Sequence, residues 1–128
     1  MAHPIELILL RELADHLSMP MFVVDPAGDL LFYNEAAEHL LGTRFDETGM
    51  LPFDEWSTMF TPTDRDGAPI PPEELPLAIA VQERRPAQGD MWIQSLDGAS
   101  RALNVTAIPV QGQWGDHLGA AAIFWEPQ

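Results

Sequence analysis

Residues 21–42 read MFVVDPAGDLLFYNEAAEHLLG, and they constrain the fold more than any other stretch of the chain. Two short apolar runs, 21–24 and 30–33, flank Asp25-Pro26-Ala27-Gly28. Proline presets φ at the second position of a turn and glycine accepts positive φ, so the runs pair as a tight antiparallel hairpin. Asn34 follows where a helix N-cap belongs. Ala36, Ala37, Leu40 and Leu41 then recur at helical spacing, and Gly42 suits the residue just past a helix. A hairpin that runs straight into a short capped helix must bury one sheet face and one helix face against other parts of the chain.

Residues 5–17 predict a helix before it. Ile5, Leu9, Leu13 and Leu17 repeat every fourth position, and Ile8 and Leu10 widen the stripe. Pro4 suits the first turn, and Pro20 ends the pattern. The stripe is wider than one helix needs to cover its own domain. It is expected to pack on its own domain, on a second copy, or on both, with Ile5, Ile8, Leu9 and Leu13 at the dimer interface.

Residues 44–72 read as irregular, with short helical turns at best, because Pro52, Pro62, Pro69, Pro71 and Pro72 interrupt them. Phe53, Trp56, Met59 and Phe60 are their apolar anchors. Residues 72–85 predict a second helix. Glu73 and Glu74 open it and Arg84 and Arg85 close it, matching the helix dipole, and Leu75, Leu77, Ile79 and Val81 form its buried face. Three strands close the chain, at about 89–96, 100–110 and 117–125. Asp97-Gly98 joins the first pair and residues 111–116 the second. Leu103, Val105 and Ala107 share one side of the middle strand, and Asn104 and Thr106 the other. The expected architecture is α+β: a five-stranded antiparallel sheet with helices inserted on one face, preceded by an N-terminal amphipathic helix. The boundaries are 1–17 for that helix and 18–128 for the domain proper.

Composition narrows the function. A chain of 128 residues makes one domain. It has no cysteine, which removes disulfides, thiolate metal sites and cysteine nucleophiles and fits a cytoplasmic location. The formal charge of −14 arises against only six arginines and no lysine, so nucleic acid and anionic membranes are not expected partners. The acids are scattered, which reads as a solvated surface rather than a docking tail. The apolar run at residues 7–10 is short, bounded by Glu6 and Arg11, and lacks a basic leader, so neither a membrane span nor a signal peptide is expected.

With the elements in this order, the sequence resembles a PAS domain, the sensor module of bacterial signalling proteins. The resemblance covers residues 17–125. It is carried by FVVDPAGDLLFYNEAAEHLLG, in which Asn34 occupies the family's Asn position, by DGAPIPPEELPLAIAVQERRP, and by DGASRALNVTAIPVQGQWGDHLGAAAIF. It implies a small apolar cavity between the sheet and a helical wall. In some members that cavity takes a cofactor or metabolite, and others serve as dimerisation or docking modules. In multidomain relatives the last strand leads to an output domain such as a kinase. This sequence stops at WEPQ, so it reads either as an excised domain or as a protein acting on a partner, such as a kinase or transcription regulator of a two-component system.

The resemblance also orders the cofactor tests. Members that link flavin or another chromophore through Cys are excluded. Haem-binding members take an axial His from the long helix, and residues 72–85 hold none; His3, His16, His39 and His117 read as surface residues. No cofactor is therefore expected, while a non-covalent flavin or a small metabolite stays open. The ligand-pocket candidates are Phe32, Trp56, Leu77, Val81, Trp92, Gln94, Asn104 and Thr106. The last four contribute if their sheet face looks inward, which alternation alone does not decide.

Asp64, Asp66, Gly67 and Glu73 match some positions of a calcium loop, but Pro62 stands at its first ligand position, so a turn is the better reading. Neither a nucleophile elbow, a phosphate loop nor a zinc-helix motif occurs. Glu35 with His39, and Asp54 with Glu55, lie on segments expected to be solvated, where carboxylates do little chemistry. A cone-fold isomerase is the remaining enzyme alternative, but it needs an acid on an apolar strand face. The expectation is a non-catalytic sensor or interaction module that dimerises, with a purely structural docking domain as the alternative.

Overall fold

In a computed structural model, the described residues are 5–42, 44, 49–59, 61–94, 100–112 and 114–126. His3, Pro4, Phe60 and the Asp97-Gly98 turn lie outside them, as does the side chain of Met59. The elements are α1 (Ile5–Asp15), β1 (Met21–Val24), β2 (Leu30–Tyr33), α2 (Glu35–Leu41), α3 (Phe53–Met59), a 3-10 turn (Pro72–Glu74), α4 (Pro76–Glu83), β3 (Ala87–Gln94), β4 (Ser100–Gln111) and β5 (His117–Trp125). The strands form one antiparallel sheet in the order β2-β1-β5-β4-β3.

The opening hairpin forms as the sequence predicts. The Gly28 N–H donates to the Asp25 carbonyl at 2.9 Å, and Asp25 Oδ1 accepts from the Ala27 and Asp29 N–H groups. The same aspartate-anchored turn recurs at Asp64, whose Oδ1 accepts from the Asp66 and Ala68 N–H groups, so that carboxylate serves the backbone.

One detail of β2 escapes strict alternation. Phe22 pairs with Tyr33, Val23 with Phe32 and Val24 with Leu30, so Leu31 is an extra residue, a bulge. Leu30 and Tyr33 therefore join the inner core, while Leu31 and Phe32 both face outward.

The two sheet faces have different covers. α2, α3 and α4 pack on the inner face, against Phe22, Val24, Met91, Ile93, Leu103, Val105 and Phe124. α1 packs on the outer face, against Met21, Val23, Phe32 and Ala121. Its buried stripe is Leu7, Leu10, Ala14 and the following Leu17, and the Arg11 guanidinium lies 5.0 Å from the centre of the Phe32 ring. Ile5, Ile8, Leu9 and Leu13 are on the other side, 48–66 % exposed. The fourfold repeat of Ile5, Leu9 and Leu13 is thus a solvent-facing stripe, set about half a turn from the stripe that holds the helix down.

Asn34 ties these layers together. Its Oδ1 accepts from the Ala37 N–H, capping α2, and from the Met21 N–H. Its Nδ2 donates to the carbonyls of Ala14 and Met19, each at 2.9 Å. One buried amide therefore binds the end of α1, the start of β1 and the start of α2.

Two helical expectations need correction. α3 is a true helix, where irregular chain was expected. Asp29 Oδ1, from the β1–β2 turn, accepts from the Phe53 N–H at 3.0 Å, so its cap comes from a distant part of the chain. The helix expected at 72–85 is two pieces. Leu75 is extended, at φ −66° and ψ 139°, because the residue before a proline avoids the helical region and Pro76 follows it. Pro76 then opens α4, and Arg84, at φ 56°, ends it.

Two residues of the closing strands have fixed reasons for their identity. Pro109 lies beyond the last β3–β4 pair, Ala87–Ala107, so its missing N–H leaves no ladder bond unmade. Gly119 has φ 133°, and a Cβ there would collide with the Val24 carbonyl oxygen, so β1 and β5 approach only because the side chain is absent.

Candidate functional site

Between the sheet and the inner helices lies an apolar cavity of about 50 Å³. Leu40 and Leu41 come from α2, Trp56 and Ser57 from α3, and Leu75 and Leu77 from the entry to α4. The sheet supplies Phe22, Met91, Ile93, Leu103, Val105 and Phe124, and Pro62 closes one side.

Each wall is held by an identifiable contact. Phe22 and Phe124 meet edge to face with ring centres 5.1 Å apart. Trp56 Nε1 donates to the Gly28 carbonyl at 2.8 Å, pinning α3 to the β1–β2 turn, and the Phe53 ring stands at 86° to the indole. His117 Nε2 lies 2.8 Å from the Val81 carbonyl, which can only accept, so the ring donates there and ties the end of α4 to β5.

Of the sequence-predicted pocket residues, Trp56 and Leu77 line the cavity. Val81 is buried in the same core cluster but does not reach the cavity wall. Phe32 is turned to the outer face by the bulge at Leu31, beneath α1. Trp92, Gln94, Asn104 and Thr106 alternate with the inward residues Met91, Ile93, Leu103 and Val105, so they look away from the cavity. Asn104 in its satisfied orientation bridges Asp90 and the Trp125 indole on that outer side. The condition for their joining the site, an inward-looking face, is not met.

Sequence reasoning missed every other cavity residue, Leu40, Leu41, Ser57, Leu75, Met91 and Phe124 among them. Helical spacing did place Leu40, Leu41 and Leu75 on buried faces. Nothing in the sequence signalled Ser57, a buried hydroxyl among apolar neighbours.

The polar pairs considered for catalysis stand elsewhere. Glu35 and His39 approach to 3.6 Å, but their side chains are 84 % and 80 % exposed. Asp54 and Glu55 are also exposed. Among the described residues no cluster could hold a metal ion, and no helix is long and apolar enough to cross a membrane.

The cavity does not fit a flavin. Its volume of about 50 Å³ has room for roughly two non-hydrogen atoms. Gln94, Asn104 and Thr106, the side chains considered as partners for a flavin's polar edge, lie on the other side of the sheet.

A sequence profile described as PAS domain matches residues 8–81, more than half of the chain. No curated protein sequence matches it. Among solved structures, a PAS domain from Colwellia psychrerythraea superposes with a TM-score of 0.66 at 18 % identity, covering 94 % of this chain and 96 % of that one. The PAS domain of BvgS from Bordetella pertussis gives 0.71 at 21 % identity, covering 98 % and 88 %. A LOV protein of Rhodobacter sphaeroides gives 0.72 at 12 % identity, covering 98 % and 69 %. At such identities these likenesses speak for the fold.

Proposed function

Because the chain belongs to the PAS domain family, we propose that it is a sensory module in which a small ligand in the inner cavity biases the packing of α1 on the opposite sheet face. PAS domains are in general sensory or signalling modules rather than catalytic ones, and the conformational route here is read from this chain.

The observation that carries the reading is that the cavity and α1 share their supports. In β1, Phe22 lines the cavity while its neighbours Met21 and Val23 touch α1. In β5, Phe124 lines the cavity while Ala121 and Ile123 lie on the α1 side. Asn34 adds a polar link, since it caps α2, whose Leu40 and Leu41 line the cavity, and holds the Ala14 carbonyl at the end of α1. A ligand shifts such an equilibrium only by its differential affinity for the two packings.

The output surface in this reading is the far side of α1, where Ile5, Ile8, Leu9 and Leu13 are exposed. They would pair two copies around a twofold axis. The dimer would then act on a protein partner such as a kinase or a transcription regulator. A chain of net charge −14 is poorly suited to nucleic acid.

The test is hydrogen exchange of α1 under xenon pressure against nitrogen, with xenon NMR confirming entry. The expected outcome is a changed exchange rate at the amides of residues 9–15 when the cavity fills. Xenon bound in the cavity with unchanged exchange in α1 would refute the coupling.

A further inference from the structure

A cleft of about 210 Å³ lies on the opposite face of the sheet, where α1 crosses the opening hairpin. Leu7 and Ile8 of α1, Val23 of β1 and Leu31 and Phe32 of β2 give it apolar walls, and Arg11 is the one charged side chain among its described lining residues. The bulge in β2 builds the far wall. Strict alternation would turn either Leu31 or Phe32 outward, and the extra residue turns both. Leu7, Val23 and Phe32 are buried at the floor, while Ile8 and Arg11 are exposed at the rim.

Arg11 is held in place without being used up. Its guanidinium lies 5.0 Å from the Phe32 ring centre, a contact with the π face that engages none of its N–H donors. Among the described residues no carboxylate pairs with it, although α1 also carries Glu6, Glu12 and Asp15. Arg85 and Arg101, by contrast, are each paired with a glutamate, Glu83 and Glu126.

We infer that this cleft binds a short monocarboxylate, its carboxylate received by the Arg11 guanidinium and its tail of about four carbons laid against Leu31 and Phe32. The inference goes beyond the sensory reading, because it concerns the other face of the sheet and does not depend on what occupies the inner cavity.

Three features fix the class. The volume holds roughly seven non-hydrogen atoms, the size of pentanoate. The polar demand is a single planar fork of donors, which a carboxylate matches with its two oxygens. Polyanions are disfavoured, because a chain of net charge −14 repels every charge of the ligand and the cleft answers with one guanidinium. A ligand here touches both α1 and the hairpin, so it binds only the docked helix and stabilises that state.

The experiment is an NMR titration of the whole chain with pentanoate and, separately, with its uncharged isostere pentanamide, for the wild type and Arg11→Gln at constant ionic strength. Pentanoate is expected to bind the wild type with a Kd on the order of 1 mM, about tenfold tighter than pentanamide, and to shift the amides of residues 7–11 and 30–32. Arg11→Gln is expected to weaken pentanoate about tenfold and to leave pentanamide within about twofold. Hydrogen exchange in α1 should slow in saturating pentanoate.

Equal pentanoate binding by both proteins would overturn the assignment of Arg11 and leave it as a cover for the Phe32 ring. Equal affinity of the wild type for pentanoate and pentanamide would overturn the carboxylate class. Unslowed exchange in α1 with pentanoate bound would place the ligand elsewhere. No shift from either probe at about 20 mM would remove the site altogether. None of these outcomes touches the xenon test of the inner cavity. Arg11→Lys keeps the charge but lacks the planar fork and should bind pentanoate about threefold more weakly; if Arg11→Gln fails to fold, unchanged pentanoate binding by Arg11→Lys overturns the assignment instead.

Discussion

Asn34 reads from sequence as a helix cap and turns out to be a junction. A cap alone is worth about 1 kcal/mol. Here the same amide also receives the Met21 N–H and donates to Ala14 and Met19. Asn34→Ala strands the buried N–H groups of Met21 and Ala37 and takes a bond from the carbonyls of Ala14 and Met19, of which Ala14 keeps the Leu17 N–H, so a loss of about 3 kcal/mol is expected in chemical denaturation. Asn34→Ser keeps a capping oxygen and should recover no more than the cap's share. If Asn34→Ala lost only about 1 kcal/mol, the junction would have to be reduced to a cap. The capping role was legible because it depends on residues three apart. The bonds to Ala14 and Met19 were not, because they span 20 and 15 residues. Phe32 shows the same limit: alternation from Leu30 sends it inward, and a single extra residue in the strand sends it out.

At the scale of the element, α1 carries two apolar stripes of different fate. Leu7, Leu10 and Ala14 hold it to the sheet, while Ile5, Ile8, Leu9 and Leu13 face solvent. The double variant Leu9→Glu, Leu13→Glu should therefore leave the fold and its melting temperature nearly unchanged while abolishing self-association. Analytical ultracentrifugation with circular dichroism checks both arms. A variant that still dimerises would place the interface elsewhere, and one that unfolds would show that the exposed stripe supports the domain. The excess width of the stripe was visible in the sequence. Which half faces the sheet was not, because both halves have leucines at helical spacing and only the fit against Val23, Phe32 and Ala121 distinguishes them. α3 and α4 follow the same rule: a cap from Asp29 makes the first a helix, and Pro76 cuts the second short at its start.

Across the whole molecule, the net charge of −14 sets the terms of association. Two such chains repel, so the proposed dimer should strengthen as salt rises from low to physiological concentration, where charges more than about 8 Å apart are largely screened. Sedimentation at two salt concentrations measures this; a dimer that weakens with salt would mean that ion pairs, not the apolar stripe of α1, hold it together. The sequence by itself determined the element order, both ends of the opening hairpin, the α+β class and the resemblance to PAS domains, because turn chemistry, capping and hydrophobic period act over a few neighbouring residues. The tertiary structure alone decided which face of the sheet looks inward, where the bulge turns Phe32, and that Trp56 and Leu77 share a cavity with Ser57. Those outcomes depend on the packing of segments far apart in the chain, and a strand's alternation is the same whichever side is buried.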